Sequence, residues 1–99
     1  MDRFEWDPKK EAQNVHKHGI DFTTASSIWH GRVFERVHNR RDYGEIRFQA
    51  FGTAENRILT VISTRRGEAR RIISARRANF REKRLFETEI PKLDAPPPD

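Results

Sequence analysis

The sequence predicts a single α+β domain in which helices pack on a mostly antiparallel sheet. Three observations carry this expectation. The apolar period is helical near the N-terminus and becomes two from Val33 onward. Turn residues at Glu55-Asn56-Arg57 and Arg66-Gly67-Glu68 then cut the period-two stretch into a meander. A helical pattern returns over residues 78–90. With 99 residues there is room for one core, and the expected order is β-α-α-β-β-β-β-α.

Phe4-Glu5-Trp6 alternates apolar and polar and reads as the first strand. Asp7 can cap a helix and Pro8 is tolerated in its first turn, so a helix is expected over residues 8–18. Gly19 stands where a left-handed C-cap belongs, with Lys17 and His18 at the negative end of the dipole. Asp21 or Thr23 can cap a second, shorter helix through Ala25, Ile28 and Trp29 that closes near Gly31. Residues 33–37 form a weak strand, followed by a polar loop over 39–44. In the next strand Ile46, Phe48 and Ala50 share one face and Arg47, Gln49 and Phe51 the other. Residues 58–64 are the strongest strand, and 69–74 follow after a tight turn. In the last helix Ala78, Leu85, Phe86 and Ile90 roughly share a face, and Pro91 is expected to stop it. Residues 1–90 are therefore the domain, and the Pro-rich stretch 91–99 a disordered tail.

Charge is the most uneven property of the chain. The net charge is +5, but residues 65–84 hold nine basic residues against two acidic ones, a local excess of +7. The rest of the chain is slightly acidic, so the positive charge belongs to one segment, the footprint expected for a polyanionic partner. No cysteine is present, which excludes disulfides, Cys-based zinc sites and a thiol nucleophile. His16 and His18 point in different directions on a helix, so no metal site is expected, and no other cofactor. The five glycines are scattered, with no phosphate-binding loop among them, and no serine sits in a nucleophile elbow. No apolar run approaches the ~18 residues of a membrane span, and Met-Asp-Arg-Phe-Glu-Trp is unlike a signal peptide. A cytoplasmic location without membrane contact is the expectation.

The remaining chemistry is carried by arginine. Glu45 and Arg47 lie two apart on one strand face and can pair, ordinarily a surface contact worth well under ~1 kcal/mol. Arg66 falls at a hairpin turn, Arg71 on the next strand, and Arg76 and Arg77 at its junction with the last helix. Arg71, Ser74 and Arg76 flank Ile72-Ile73, so these charges are built onto a rigid element, as phosphate positioning requires. Glu82 follows closely enough to orient a guanidinium or act as a base. Metal-free RNA cleavage fits this inventory, because the 2′-hydroxyl attacks its own phosphodiester while arginines neutralise the growing charge. Glu45, Glu82, His18 and His38 are the candidates for moving protons.

These residues resemble the BrnT toxins of type II toxin–antitoxin systems, small ribonucleases of the RelE/ParE-like superfamily. The resemblance runs through Phe4-Glu5-Trp6-Asp7-Pro8, Asn14, Lys17-His18-Gly19 with Phe22, Gly44-Glu45-x-Arg47-Phe48, Gly52 and Thr64-x-Arg66. It ends with Arg71-Ile72-Ile73-Ser74-Ala75-Arg76-Arg77-Ala78 and Glu82. It implies a RelE-like fold and an RNA-cleaving toxin that inhibits translation. It further implies neutralisation by a BrnA-like antitoxin in a heterotetramer or larger complex, which represses the operon through the antitoxin's contact with operator DNA. By position, the functional residues would fall at Lys17, His18, Glu45, Arg47, Arg66, Arg71, Arg76 and Glu82, with Ser74, Arg77 and Arg65 as further RNA contacts. Family members typically carry a tyrosine four residues after the glutamate, where this chain has Phe86. Loss of that hydroxyl leaves a weak or inactive RNA- or antitoxin-binding corepressor as the alternative.

Overall fold

The computed structural model describes residues 3–38 and 44–94. Most of the expected polar loop, residues 39–43, and the end of the expected tail, residues 95–99, lie outside the described residues. The elements are β1 (Arg3–Trp6), α1 (Pro8–His18), α2 (Phe22–Ser26), a 3-10 turn (Ser27–His30), β2 (Phe34–Val37), β3 (Arg47–Ala54), β4 (Arg57–Arg66), β5 (Ala69–Arg77) and α3 (Phe80–Asp94). The order is the one the sequence predicts. One five-stranded sheet runs β1-β5-β4-β3-β2, antiparallel throughout except that β1 lies parallel to β5.

The caps follow local chemistry. Asp7 accepts a hydrogen bond from the Lys9 N–H, and Asp21, rather than Thr23, accepts one from the Thr24 N–H. Gly19 closes α1 at φ 70°, donating to the Val15 carbonyl.

The α1–α2 half of the chain packs on the inner face of the sheet. Ile20, Phe22, Ala25 and Ile28 meet Ala50, Ala54, Leu59, Val61, Ile72 and Ala75 there. Gly52 lets the 3-10 turn approach closely, since a Cβ at that position would lie 2.7 Å from the Ile28 Cβ. Arg70 is also on this face and only 5% exposed. Its guanidinium stacks over Trp29, pairs with Glu35 of β2 and reaches the Ser63 hydroxyl. Arg70 thus belongs to the fold, although it falls inside the basic segment.

Two features of β5 set up everything on the outer face. Ser63 pairs with Ile72, but Ile62 pairs with Ser74, so Ile73 is an extra residue and β5 bulges there. Strict alternation would put Arg71 on the face opposite Ser74 and Arg76; the bulge brings all three to the outer face. Beyond Ile72, β1 no longer pairs with β5, and the side chain of Asn14 takes over the open edge. Its amide donates to the Ala75 and Ile20 carbonyls and accepts from the Ala75 N–H, all within 3.0 Å. At 6% exposure, Asn14 acts as one residue of a missing strand and fastens α1 to β5.

The last helix departs from expectation at its end. It continues through Pro91 to Asp94, so Pro91 does not stop the helix as expected. Proline removes the bond to the Glu87 carbonyl, but Glu87 and Pro91 are both exposed. Water can satisfy that group, and the final turn persists.

Asn14→Ala is expected to destabilise the protein by about 2–4 kcal/mol, because it strands three buried backbone groups. Urea unfolding measures this, and a change under ~1 kcal/mol would show that the edge is not held by Asn14.

Candidate functional site

Pairing registers place the outer-face side chains in rows across the sheet. Glu5, Arg71, Thr64 and Arg47 form one row, Ser74, Ile62, Gln49 and Arg36 the next, and Arg76, Thr60, Phe51 and Phe34 the third. The start of α3 lies against the third row through Glu82. The first and third rows are four residues apart on β4, about 13 Å, longer than one phosphate. The candidate residues therefore divide into two groups.

At the hairpin end, Glu45 sits between two arginines: its carboxylate is 3.5 Å from Arg47 Nε and 3.9 Å from Arg66 Nη2. Arg71 is held by Glu5 of the neighbouring strand at 2.9 Å. Arg47 and Arg71 are half-buried, and Arg66 is exposed.

At the other end stands a densely hydrogen-bonded group. Arg76 donates both terminal nitrogens to Glu82, at 2.7 and 2.8 Å. Glu82 is 7% exposed and also accepts from Thr60, Gln49 and the Asn79 N–H. Asn79 in turn caps α3 through the Glu82 N–H, so Asn79-x-x-Glu82 is a reciprocal capping box. Burial pushes the Glu82 carboxyl up, but the Arg76 bonds, the Asn79 N–H, the Arg76 charge and the Thr60 hydroxyl together outweigh it and hold it below its ordinary value. The Arg76 guanidinium is raised, chiefly by its bond to Glu82. Glu82 is thus a fixed anion that orients Arg76, and a poor proton acceptor near neutrality.

His18 lies beside this pair. The end of α1 and the free half of β5 enclose a cleft of about 210 Å³ lined by Lys10, Gln13, Asn14, Lys17, His18, Ile73 and Ser74. Burial, then the charges of Lys17 and Arg76, lower the imidazole below its ordinary value of 6.5. It is therefore neutral at neutral pH and able to accept a proton.

Lys17, His18, Ser74, Arg76 and Glu82 are thus assembled at one end and Glu45, Arg47 and Arg66 at the other, with Arg71 at the β1 side of the first row. Arg65 and Arg77 are not part of either group. Arg65 pairs with Arg70, and Arg77 with Leu59, which turns both toward the inner face. His38 follows β2 and donates its backbone N–H to Arg47, three strands from β5 and roughly 14 Å from the cleft by strand spacing. Phe86 lies one helical turn beyond Glu82 and is half-buried. Sequence reasoning named Asn14 only within the family resemblance, without a role, and missed Gln49, Thr60 and Asn79 as site residues. The capping-box spacing marks Asn79, and the stripe Lys10, Asn14, Lys17, His18 at helical spacing marks Asn14.

The fold and this face define a small α+β domain whose outer face carries arginines oriented by carboxylates. The chain belongs to the BrnT family of ribonuclease toxins of type II toxin–antitoxin systems, whose family model matches residues 6–82. It is similar to the 1.1 Å crystal structure of the Brucella abortus ribonuclease toxin BrnT, with 27% identity and a TM-score of 0.61 over 80% of this chain and 99% of that one. No curated protein sequence matches the chain. No described helix is long and apolar enough to cross a membrane.

Because the Glu82 carboxyl is depressed in the folded chain, its stabilisation is complete above the ordinary value of 4.5 and is lost as pH falls through the folded value. Urea midpoints should therefore fall more steeply below about pH 4.5 for the native chain than for Glu82→Gln. Parallel pH profiles would remove Glu82 from the account.

Proposed function

We propose that the chain is a metal-independent endoribonuclease that cleaves at the Arg76–His18 end of the outer face. The observation that carries this reading is Arg76: a guanidinium fixed by a buried carboxylate, yet open to solvent, next to a neutral imidazole. Neutral His18 takes the proton from the ribose 2′-hydroxyl, and the 2′-oxygen attacks the adjacent phosphorus. Arg76 stabilises the charge that develops on the phosphoryl oxygens. The 5′-oxygen departs and takes a proton from solvent at this open surface. Glu82 is a positioning residue. Arg71, Arg47 and Arg66, balanced by Glu45, hold the RNA backbone further along, while Lys17 and Ser74 border the reacting phosphate.

In the cell this activity would inhibit translation, in the cytoplasm. A BrnA-like antitoxin would cover the basic face in a heterotetramer or larger complex, which would repress its operon through the antitoxin's contact with operator DNA. A second reading, a binding protein without turnover, draws on Phe86, which keeps a ring but no hydroxyl one turn from Glu82. Such a protein would shift RNA in a gel and leave it intact.

Arg76→Ala is expected to lower RNA cleavage by about 100-fold or more and to relieve growth arrest while the protein stays folded. Full toxicity of the folded variant would remove Arg76 from the site. Cleavage should also fall as pH drops through the depressed pKa of His18, below 6.5, because the imidazolium cannot accept a proton. His18→Gln should be slow and lose this acid limb; an unchanged limb would assign the base elsewhere.

A further inference from the structure

We infer that a second basic cleft, at the far end of β4 and β5, is a subsite for a nucleotide flanking the scissile one, its phosphate held by Arg57, Arg77 and Lys83 and its base stacked on Phe80. The inference rests on the RNA-cleaving reading above and adds a place for the next stretch of strand.

The cleft measures about 260 Å³ and is lined by Asn56, Arg57, Ile58, Arg77 and Lys83. Three of these five side chains are cations. Arg57 is tied to the exposed Glu55 at 3.4 Å, while no ion pair engages Arg77 or Lys83 among the described residues. Converging cations with so little compensating charge repel one another and favour an anion between them. Ile58 gives the cleft an apolar wall against which a ribose can lie.

Phe80 begins α3 and is 71% exposed, so it adds little to the core. It stands three residues before Lys83 and four before Arg84, both neighbours on the helix surface. The Arg84 guanidinium is 5.7 Å from its ring centroid. An open aromatic ring bordered by cations is what a single-stranded nucleotide needs, one surface for the base and another for the phosphate. An acidic peptide would use the cations and leave the ring idle.

Along β5, the cleft follows directly on the proposed catalytic end. Arg76 Nη1 donates to the Arg77 carbonyl at 3.2 Å, and the Arg77 side chain turns into the cleft. Bulge and alternation thus send Arg76 to one phosphate and Arg77 to another. This accounts for Arg77, which the outer face does not use.

The test uses 2′-O-methyl RNA, which carries no attacking hydroxyl. Binding of a short oligonucleotide is compared with that of one extended by about two nucleotides at either end. For the native chain, extension at one end should tighten binding about tenfold. Phe80→Ala and the double variant Arg57→Gln/Lys83→Gln, each shown to be folded by thermal unfolding, should lose most of that gain. The double variant should also bind the longer RNA with a shallower salt dependence, its log–log slope smaller by about one. Equal binding of both lengths by the native chain, or a length gain that survives in both variants, would overturn the subsite alone. Failure of the native chain to bind either RNA would overturn the RNA reading and the subsite with it. A length gain that survives while affinity for an acidic polypeptide falls would assign the cleft to a protein partner instead.

Discussion

One residue out of phase in β5 governs this molecule. Ile72 and Ala75 must both face the core, which is impossible for residues three apart on a regular strand. The extra residue Ile73 resolves the conflict, and its consequence falls on the outer face, where Arg71, Ser74 and Arg76 come into register. The same half of β5 lies beyond the reach of β1, and Asn14 fastens α1 along it. That contact carries Lys17 and His18 to the border of Ser74 and Arg76. Core packing, edge protection and the chemistry of the face are therefore a single arrangement.

The electrostatics assign different work to groups that look alike on paper. Glu82 and Glu45 are both carboxylates near arginines. Glu82 is buried, receives donors from three strands and the start of α3, and stays ionised. In the proposed reaction it would aim Arg76 and remove that side chain's freedom, which a transition-state contact requires. Glu45 sits in a looser group whose partners are 3.5 and 3.9 Å away. Such contacts are screened by solvent, and in the proposed function this group would hold and release an RNA backbone. His18 differs again, because burial and two neighbouring cations keep it neutral. A fixed cation and a neutral acceptor side by side are the minimum for hydroxyl attack on a phosphodiester.

The element order, the caps at Asp7, Asp21 and Gly19, and the turn at Gly67 were legible from periodicity and turn chemistry, which depend on near neighbours. The bulge was not, because Ile72-Ile73 reads simply as an apolar pair until the pairing with Ile62 and Ser63 is known. The charge excess at residues 65–84 was visible, but its division between faces was not: Arg70 went to the core, and Arg65 and Arg77 turned inward. Arg76 and Glu82 could be linked by their spacing, whereas Gln49 and Thr60 come from other strands and carry no charge to mark them. The helix beyond Pro91 was hidden for a different reason. Proline stops a helix where its missing bond would be buried, and exposure is not a property of the sequence alone.

The central claim is that this face cleaves RNA with the substrate's own 2′-hydroxyl. The most direct measurement is the chemistry of the new ends, read by mass spectrometry after the purified protein acts on an oligoribonucleotide in a metal chelator. The account predicts a 2′,3′-cyclic phosphate on one fragment and a 5′-hydroxyl on the other. Fragments ending in 5′-phosphate and 3′-hydroxyl, or cleavage only after a divalent ion is restored, would contradict it.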